Sequence, residues 1–255
     1  MTSRPTARRA SGNAPSPRRA LAQRVRIIGG QWRRRLLTFP AADDLRPTPD
    51  RVRETVFNWL GQDLRGLRCL DLFAGSGALG FEAASRGAQR VVMVEQDARI
   101  GRALEACRSE LGAPPEGTRI EIVKADALRF LDREARHPIV DGSDAPGGSF
   151  DVVFLDPPFR LGLLPTLLPR VDACLAPGGW VYVEAPAPVS GATGALEAIG
   201  SSAPWATIRQ ARAGAVEYRM LARRADLQQD ANADSLAACH DATAQLRSPM
   251  REDTP

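Results

Sequence analysis

One stretch limits the fold more than any other. The apolar run Cys69-Leu70-Asp71-Leu72-Phe73 passes directly into Ala74-Gly75-Ser76-Gly77-Ala78-Leu79-Gly80, and small and apolar residues follow as far as Arg86. A strand, a glycine turn and a helix in immediate succession form the opening unit of an α/β domain. The alternation then continues. Arg90–Val94 reads as a strand and Ala98–Leu111 as a helix; Ile120–Val123 as a strand and Leu128–Ala135 as a short helix. Phe150–Leu155 reads as a strand, and Leu161–Leu175 as a helix interrupted by prolines. After the turn Pro177-Gly178-Gly179, Trp180–Val183 is a fifth strand. These strand runs are almost continuously apolar, which requires a parallel sheet covered on both faces. Ala206–Arg212 and Ala215–Leu221 alternate instead, and flank Gly214 as a closing antiparallel hairpin.

The sequence before this domain has a different character. Residues 1–42 contain ten arginines and no acid, whereas the whole chain carries a net charge of only +4. Such asymmetry places a polyanion partner at the N-terminal end. Residues 1–23 lack apolar period and read as a disordered basic tail. Arg24-Val25-Arg26-Ile27 alternates like a strand, Gly29-Gly30 suits a turn, and Arg33-Arg34-Arg35-Leu36-Leu37 returns as a second strand. Arg24, Arg26, Arg33, Arg34 and Arg35 would line the outer face of that hairpin, either gripping phosphates or facing solvent. Contact with about five phosphates of a single strand gives a log–log salt slope of roughly −3.5. Thr48, Pro49 and Asp50 suit the N-cap, first position and first turn of a helix. Val52, Val56, Phe57 and Leu60 mark its buried face, and Gly61 ends it. The expected organisation is a tail at 1–23, a hairpin and helix at 24–60, and a catalytic domain at 61–222. A surface insertion is expected at 137–149, and a disordered polar tail at 223–255.

Several function classes are excluded. No window approaches the ~18 apolar residues of a membrane span. The basic N-terminus is followed by no apolar segment of a secretory signal. Cys69, Cys107, Cys174 and Cys239 form no close pair and read as reduced thiols of a cytoplasmic protein. With only His137 and His240 and no C-x-x-C, no metal site is expected.

The chemistry-bearing residues fall at strand ends. Gly75, Gly77 and Gly80 form G-x-G-x-x-G, which lets the backbone approach a ligand at a helix start. Glu95 ends the next strand, where a carboxylate can accept both hydroxyls of a ribose. A dinucleotide and S-adenosylmethionine both carry that ribose. Asp71 leans toward the latter, because a carboxylate would repel a pyrophosphate but favour the ammonium of a methionine moiety. Asp126 suits either an adenine amino group or a helix N-cap, and the two roles are compatible. Asp156-Pro157-Pro158-Phe159 follows a buried strand. The prolines donate no hydrogen bond, so their carbonyls and the Asp156 carboxylate make an acceptor-only pocket mouth. That suits a planar amino group, and Phe159 offers a face for base stacking.

Together these motifs carry a resemblance. Asp-Pro-Pro-Phe resembles the signature of amino-group methyltransferases of the seven-stranded Rossmann-like class. The stretches RVRIIGGQW (24–32), LRPTPDRVRETVFNWL (45–60) and LDLFAGSGALGFEAASRGA, in that order, resemble one branch: the bacterial 16S rRNA guanine-N(2) methyltransferases of the RsmD family. The resemblance covers roughly residues 24–222. It implies a Rossmann-like S-adenosylmethionine-dependent methyltransferase fold with a small N-terminal hairpin-plus-helix extension. It also implies methylation of a guanine amino group, at the 16S rRNA position conventionally numbered 966, in small subunits or assembly intermediates, by a monomer. By position, Asp71, Gly75, Gly77, Glu95, Asp126 and Thr48 would hold S-adenosylmethionine, and Asp156, Pro157 and Phe159 would hold the base. Arg51 and Arg53 would join the hairpin arginines as RNA-binding residues. The rival readings are an adenine amino-group methyltransferase acting on DNA, a nicotinamide-dependent oxidoreductase, and a non-enzymatic RNA-binding assembly factor.

Overall fold

The computed structural model describes residues 22–41, 47–136, 150–188, 196, 199 and 204–229. The basic tail up to residue 21, the 137–149 insertion and residues 230–255 lie outside them. Strands and helices follow one another in the described chain: β1 (Gln23–Arg26), β2 (Leu36–Phe39), α1 (Asp50–Leu60), β3 (Arg68–Asp71), α2 (Ala78–Ser85), β4 (Arg90–Glu95), α3 (Ala98–Leu111), β5 (Arg119–Lys124), α4 (Ala127–Arg136), β6 (Phe150–Leu155), α5 (Leu164–Cys174), β7 (Leu175–Pro186), β8 (Trp205–Ala213) and β9 (Val216–Arg223), with 224–229 helical after it. β1 and β2 pair as an isolated antiparallel hairpin. The other seven strands form one sheet in the order β5-β4-β3-β6-β7-β9-β8. The first five of these are parallel. β9 inserts antiparallel between β7 and β8. No helix among the described residues is long and apolar enough to cross a membrane.

Alternation along the strands divides the core into two layers. Cys69, Val91, Met93, Val152, Phe154 and Tyr182 face one side, where they pack with the hairpin, α1, α2 and α3. Leu70, Val92, Val94, Val153, Leu155, Val181 and Val183 face the other, against Phe130 and Leu131 of α4 and Leu167 and Val171 of α5. Because both faces are covered, the strands read as apolar runs.

The N-terminal extension docks through one buried carboxylate. Glu82 lies in α2, whose eight residues are all buried. Its oxygens accept from Ile28 N at 2.8 Å and Gly29 N at 2.7 Å, and from Arg86 Nε at 2.9 Å. The Arg53 guanidinium, also fully buried, lies 3.5 Å away. Arg53 donates further to the Thr48 carbonyl at 3.1 Å, the Arg26 carbonyl at 2.7 Å and Asp50 Oδ1 at 2.5 Å. One guanidinium thus ties β1, the 48–50 segment and α2 together. Gly30 fits here because of its φ of +72° and because a Cβ would fall 1.9 Å from the Ser85 carbonyl oxygen.

The structure changes several sequence expectations. Arg33–Arg35 do not form a strand: Trp32 is buried, its N–H bonds Ser85 Oγ at 2.9 Å, and the chain turns through Arg34 (φ +72°) before β2 starts at Leu36. Thr48 does not cap α1, which begins at Asp50 after Pro49 with no side-chain cap. The helix expected over 161–175 is divided. A 3-10 turn at Phe159–Leu161 ends at Gly162 in the left-handed region, and α5 then begins with a proline in its first turn. Pro177-Gly178-Gly179 lies within β7: Leu175 already pairs with Phe150, and 176–179 bulge out before Trp180 pairs with Val152. Residues 223–229 belong to the fold rather than to a disordered tail. Arg223 binds Asp172 and the carbonyls of Leu175 and Ala176, and Asp226 accepts from Gly178 N.

Replacing Glu82 by alanine would leave two backbone donors without their acceptor and take a carboxylate away from two buried guanidinium groups. Glu82→Ala should destabilise the protein by roughly 3–5 kcal/mol, read as a lower midpoint in urea unfolding at unchanged slope.

Candidate active site

The chain order reverses at β3, which has β4 on one side and β6 on the other. Open α/β sheets bind ligands at the carboxyl ends of the strands flanking such a point. Here those ends carry Asp71, Glu95 and Asp156, and the next strand contributes Glu184 near its own end.

The glycine loop is shaped by its backbone. Gly75 (φ +50°) and Gly77 (φ +75°) both take left-handed conformations, and Gly77 leads directly into α2. Asp71 is buried, with Oδ2 accepting from Gly80 N at 3.0 Å. Burial raises its pKa to about 7; the Gly80 hydrogen bond opposes the rise, and the charge on Glu95 adds to it. Glu95 grips the loop from the neighbouring strand, accepting from Gly75 N at 3.1 Å and Asp97 N at 2.7 Å. Burial raises its pKa as well. Asp126, exposed at the end of β5, caps α4 by accepting from Arg129 N at 3.0 Å.

Asp156 follows β6. Burial holds its carboxyl well above the usual range, and the charges of Glu184 and Asp71 push in the same direction. Pro157 is buried, and Phe159 is 39% exposed at the start of the 3-10 turn. The sequence reading missed Glu184 and Tyr182. Tyr182 Oη donates to Glu184 Oε1 at 2.7 Å, and the Thr48 side chain forms a second hydrogen bond to the same carboxylate. Thr48, expected at the cofactor, therefore places its hydroxyl on Glu184. One available signal was Glu184 itself, a lone acid near the end of an apolar strand, like Glu95 and Asp156. Glu82 was legible in the same way, as a single acid in a helix of small apolar residues.

The arginines separate into groups. Arg24, Arg33, Arg34 and Arg51 are exposed. Arg26 is exposed but pairs with Asp50 at 2.7 Å, and Arg35 donates to the Glu110 carbonyl at 2.5 Å. Arg53 is fully buried with four acceptors around it, so it is no surface contact for RNA. Beside Thr48, an open groove of about 370 Å³ is lined by Arg24, Arg26, Leu36, Pro47, Thr48 and Asp50, among others. Cys69, Cys107 and Cys174 are buried free thiols. Burial raises all three, Cys174 to about 12, so none is a ready nucleophile.

A seven-stranded sheet with its last strand inserted antiparallel, and a glycine loop and acids at the switch point, define a Rossmann-like methyltransferase fold. A family model described as "Conserved hypothetical protein 95" matches residues 25–222. The chain is 38% identical over 218 residues to ribosomal RNA small subunit methyltransferase D of Escherichia coli K12, covering 85% of this chain and 98% of that protein. The protein of the same name from Haemophilus influenzae is 36% identical over 198 residues, covering 77% and 92%. Among solved structures, the putative methyltransferase yhhF of Escherichia coli superposes with a TM-score of 0.60 at 37% identity, covering 79% of this chain and 98% of that one. SMU.776, a putative methyltransferase complexed with SAH, shares the fold at 14% identity and a TM-score of 0.56, covering 73% and 53%. The chain belongs to the RsmD family of rRNA methyltransferases.

Asp71 also makes a stability test. Its folded-state pKa near 7 lies above the ordinary 3.8, so the folded protein retains a proton that the unfolded chain has lost. Stability of the ligand-free protein therefore falls as pH rises from about 4 to about 7. Asp71→Asn removes this loss and keeps an acceptor for Gly80 N. Scanning calorimetry should show a higher Tm for the variant at pH 8 and little difference at pH 4.

Proposed function

We propose that this chain transfers a methyl group from S-adenosylmethionine to the exocyclic amino nitrogen of a guanine in 16S rRNA of the small ribosomal subunit. The observation that carries the reading is the acceptor-only edge at the end of β6. Asp156 stands beside Pro157, with Glu184 next to it, and among the described residues no lysine or arginine is hydrogen-bonded to either carboxylate. An amino group with two N–H bonds satisfies such an edge, and the relatives named ribosomal RNA small subunit methyltransferase D support an rRNA acceptor.

The residues at the glycine loop fit the donor. Asp71 is a buried carboxylate with a raised pKa, which a sulfonium or ammonium group would stabilise in its charged form. Glu95 retains lone pairs for ribose hydroxyls beyond the two backbone donors it accepts, and Asp126 faces solvent at the next strand end. When bound, S-adenosylmethionine supplies a methyl group on positively charged sulfur. The guanine must leave its stack to reach the site, which costs least in a loop. Phe159 covers one face of the base. Asp156 and the Pro157 carbonyl accept the two amine hydrogens and turn the nitrogen lone pair toward the methyl. As the N–C bond forms and the S–C bond breaks, Asp156 takes the proton the amine releases. A carboxyl with a raised pKa is a better acceptor for that proton than an ordinary carboxylate.

Labelled S-adenosylmethionine tests the reading, with unmodified small subunits, naked 16S rRNA and duplex DNA as acceptors and the nucleoside identified by mass spectrometry. The expected product is N(2)-methylguanine in subunits, lost by at least about a hundredfold in Asp156→Ala. Methyladenine in DNA would overturn the guanine assignment, and a fully active Asp156→Ala would overturn the mechanism.

RNA contact by the hairpin rests on Arg24, Arg33 and Arg34, since Arg26 and Arg35 already have partners, with Arg51 of α1 exposed as a further contact. Three phosphates on a single strand give a log–log salt slope of roughly −2 rather than the −3.5 of a five-arginine face. Arg33→Ala with Arg34→Ala should make the slope shallower by about 1.4. Filter binding at several salt concentrations measures it.

A further inference from the structure

The proposed mechanism uses Asp156 and leaves Glu184 unexplained, although Glu184 is 5% exposed and held in place from two sides. Its position follows from register. Phe154 pairs with Tyr182 and Leu155 with Val183 in the parallel β6–β7 ladder. Asp156 and Glu184 come next in the two chains, and they lie near enough for the charge of Glu184 to act on Asp156. Tyr182 Oη and the Thr48 side chain both hydrogen-bond the Glu184 carboxylate. Burial raises the pKa of Glu184, and the two hydroxyl donors oppose that rise and fix the orientation of the carboxyl, which once ionised can only accept. A carboxylate has about four lone-pair sites, so acceptor capacity remains for a third partner.

This pairing of acceptors distinguishes the purines. Guanine presents two adjacent donors on one edge, the N1–H and the amino group at C2. Adenine presents its amino group beside N1, which is a bare acceptor. We propose that Glu184 is the guanine-selecting residue of this site, accepting the N1–H while Asp156 accepts from the neighbouring amino group. The proposal rests on the guanine reading above and adds its physical cause. An adenine in the same pose would set the N1 lone pair against an ionised carboxylate, whereas guanine gains a charge-assisted hydrogen bond. Thr48 and Tyr182 then act as positioning residues through Glu184. The N-terminal extension contributes to base choice by delivering the Thr48 hydroxyl.

The probe is 2-aminopurine, which keeps the amino group at C2 but has no hydrogen on N1. Small subunits reconstituted with guanine or 2-aminopurine at the methylated position serve as acceptors, with label transfer as the readout. Wild-type protein should prefer guanine by roughly tenfold or more. Glu184→Gln should transfer more slowly to guanine and lose most of that preference, because the amide can donate to a bare N1. Its affinity for S-adenosylmethionine, read by calorimetry, should stay within about twofold of wild type, which separates base selection from collapse of the site. A Glu184→Gln enzyme with the wild-type preference would overturn the proposal. So would a wild-type enzyme indifferent to the two purines, a result that holds whether or not the variant folds. Failure of the guanine reading itself looks different: wild-type protein would form no N(2)-methylguanine in ordinary subunits.

Discussion

The parallel register of β3, β6 and β7 is the constraint on which the site depends. Asp71 pairs with Phe154, and Phe154 with Tyr182. Paired residues in a parallel ladder point to the same face, so Asp71 shares a face with Phe154 and Tyr182, and Asp156 and Glu184 follow two residues further along their chains. A one-residue slip in any of these strands would send its acid to the opposite core. Three carboxylates this close and this buried cannot all be charged at little cost. Burial is the largest cause of the raised pKa at each of them. Asp71, with its pKa at about 7, retains part of its proton in the empty site, and a cationic ligand would displace it, which suits a sulfonium donor.

The N-terminal extension completes the site. Its hairpin contributes Val25, Ile27, Trp32, Leu37 and Phe39 to the same core as α2 and α3, so its burial is continuous with that of the sheet. The buried Glu82–Arg53–Arg86 cluster then fixes its angle, with donors to Glu82 from the Ile28–Gly29 backbone, from α1 and from the end of α2. Arg53 holds the Thr48 carbonyl while the Thr48 side chain reaches Glu184. The exposed arginines of the hairpin and the acids of the pocket thus belong to one packed body. An RNA loop gripped at Arg24, Arg33 and Arg34 would meet the pocket at a fixed distance, which is the positioning that a base flipped into a buried site needs.

Much of this was legible in the residues. The central strands β3, β4 and β6 read correctly because they are buried on both faces and bounded by glycine, proline or an N-cap; α3 and β6 match to the residue. The strand-end acids Asp71, Glu95 and Asp156 stood out because charge is costly at the end of an apolar run. The failures have local causes. Arg33–Arg35 looked like an alternating strand, but burial of Trp32 against α2 turns the chain there. Arg53 looked like another surface arginine, because periodicity in α1 cannot reveal that Glu82, 29 residues on, needs a buried cation. Glu184 gains its meaning only from the β6–β7 register, a relation between strands that no single segment displays.

Asp71 at the switch point keeps part of its proton until a cationic ligand arrives. Titration of S-adenosylmethionine into the protein at pH 7, in buffers of different ionisation enthalpy, tests it most directly. The expected binding heat varies with the buffer, with the sign of net proton release, because Asp71 near its pKa of about 7 becomes fully ionised on binding. A binding heat independent of the buffer, or one showing net proton uptake, would contradict it.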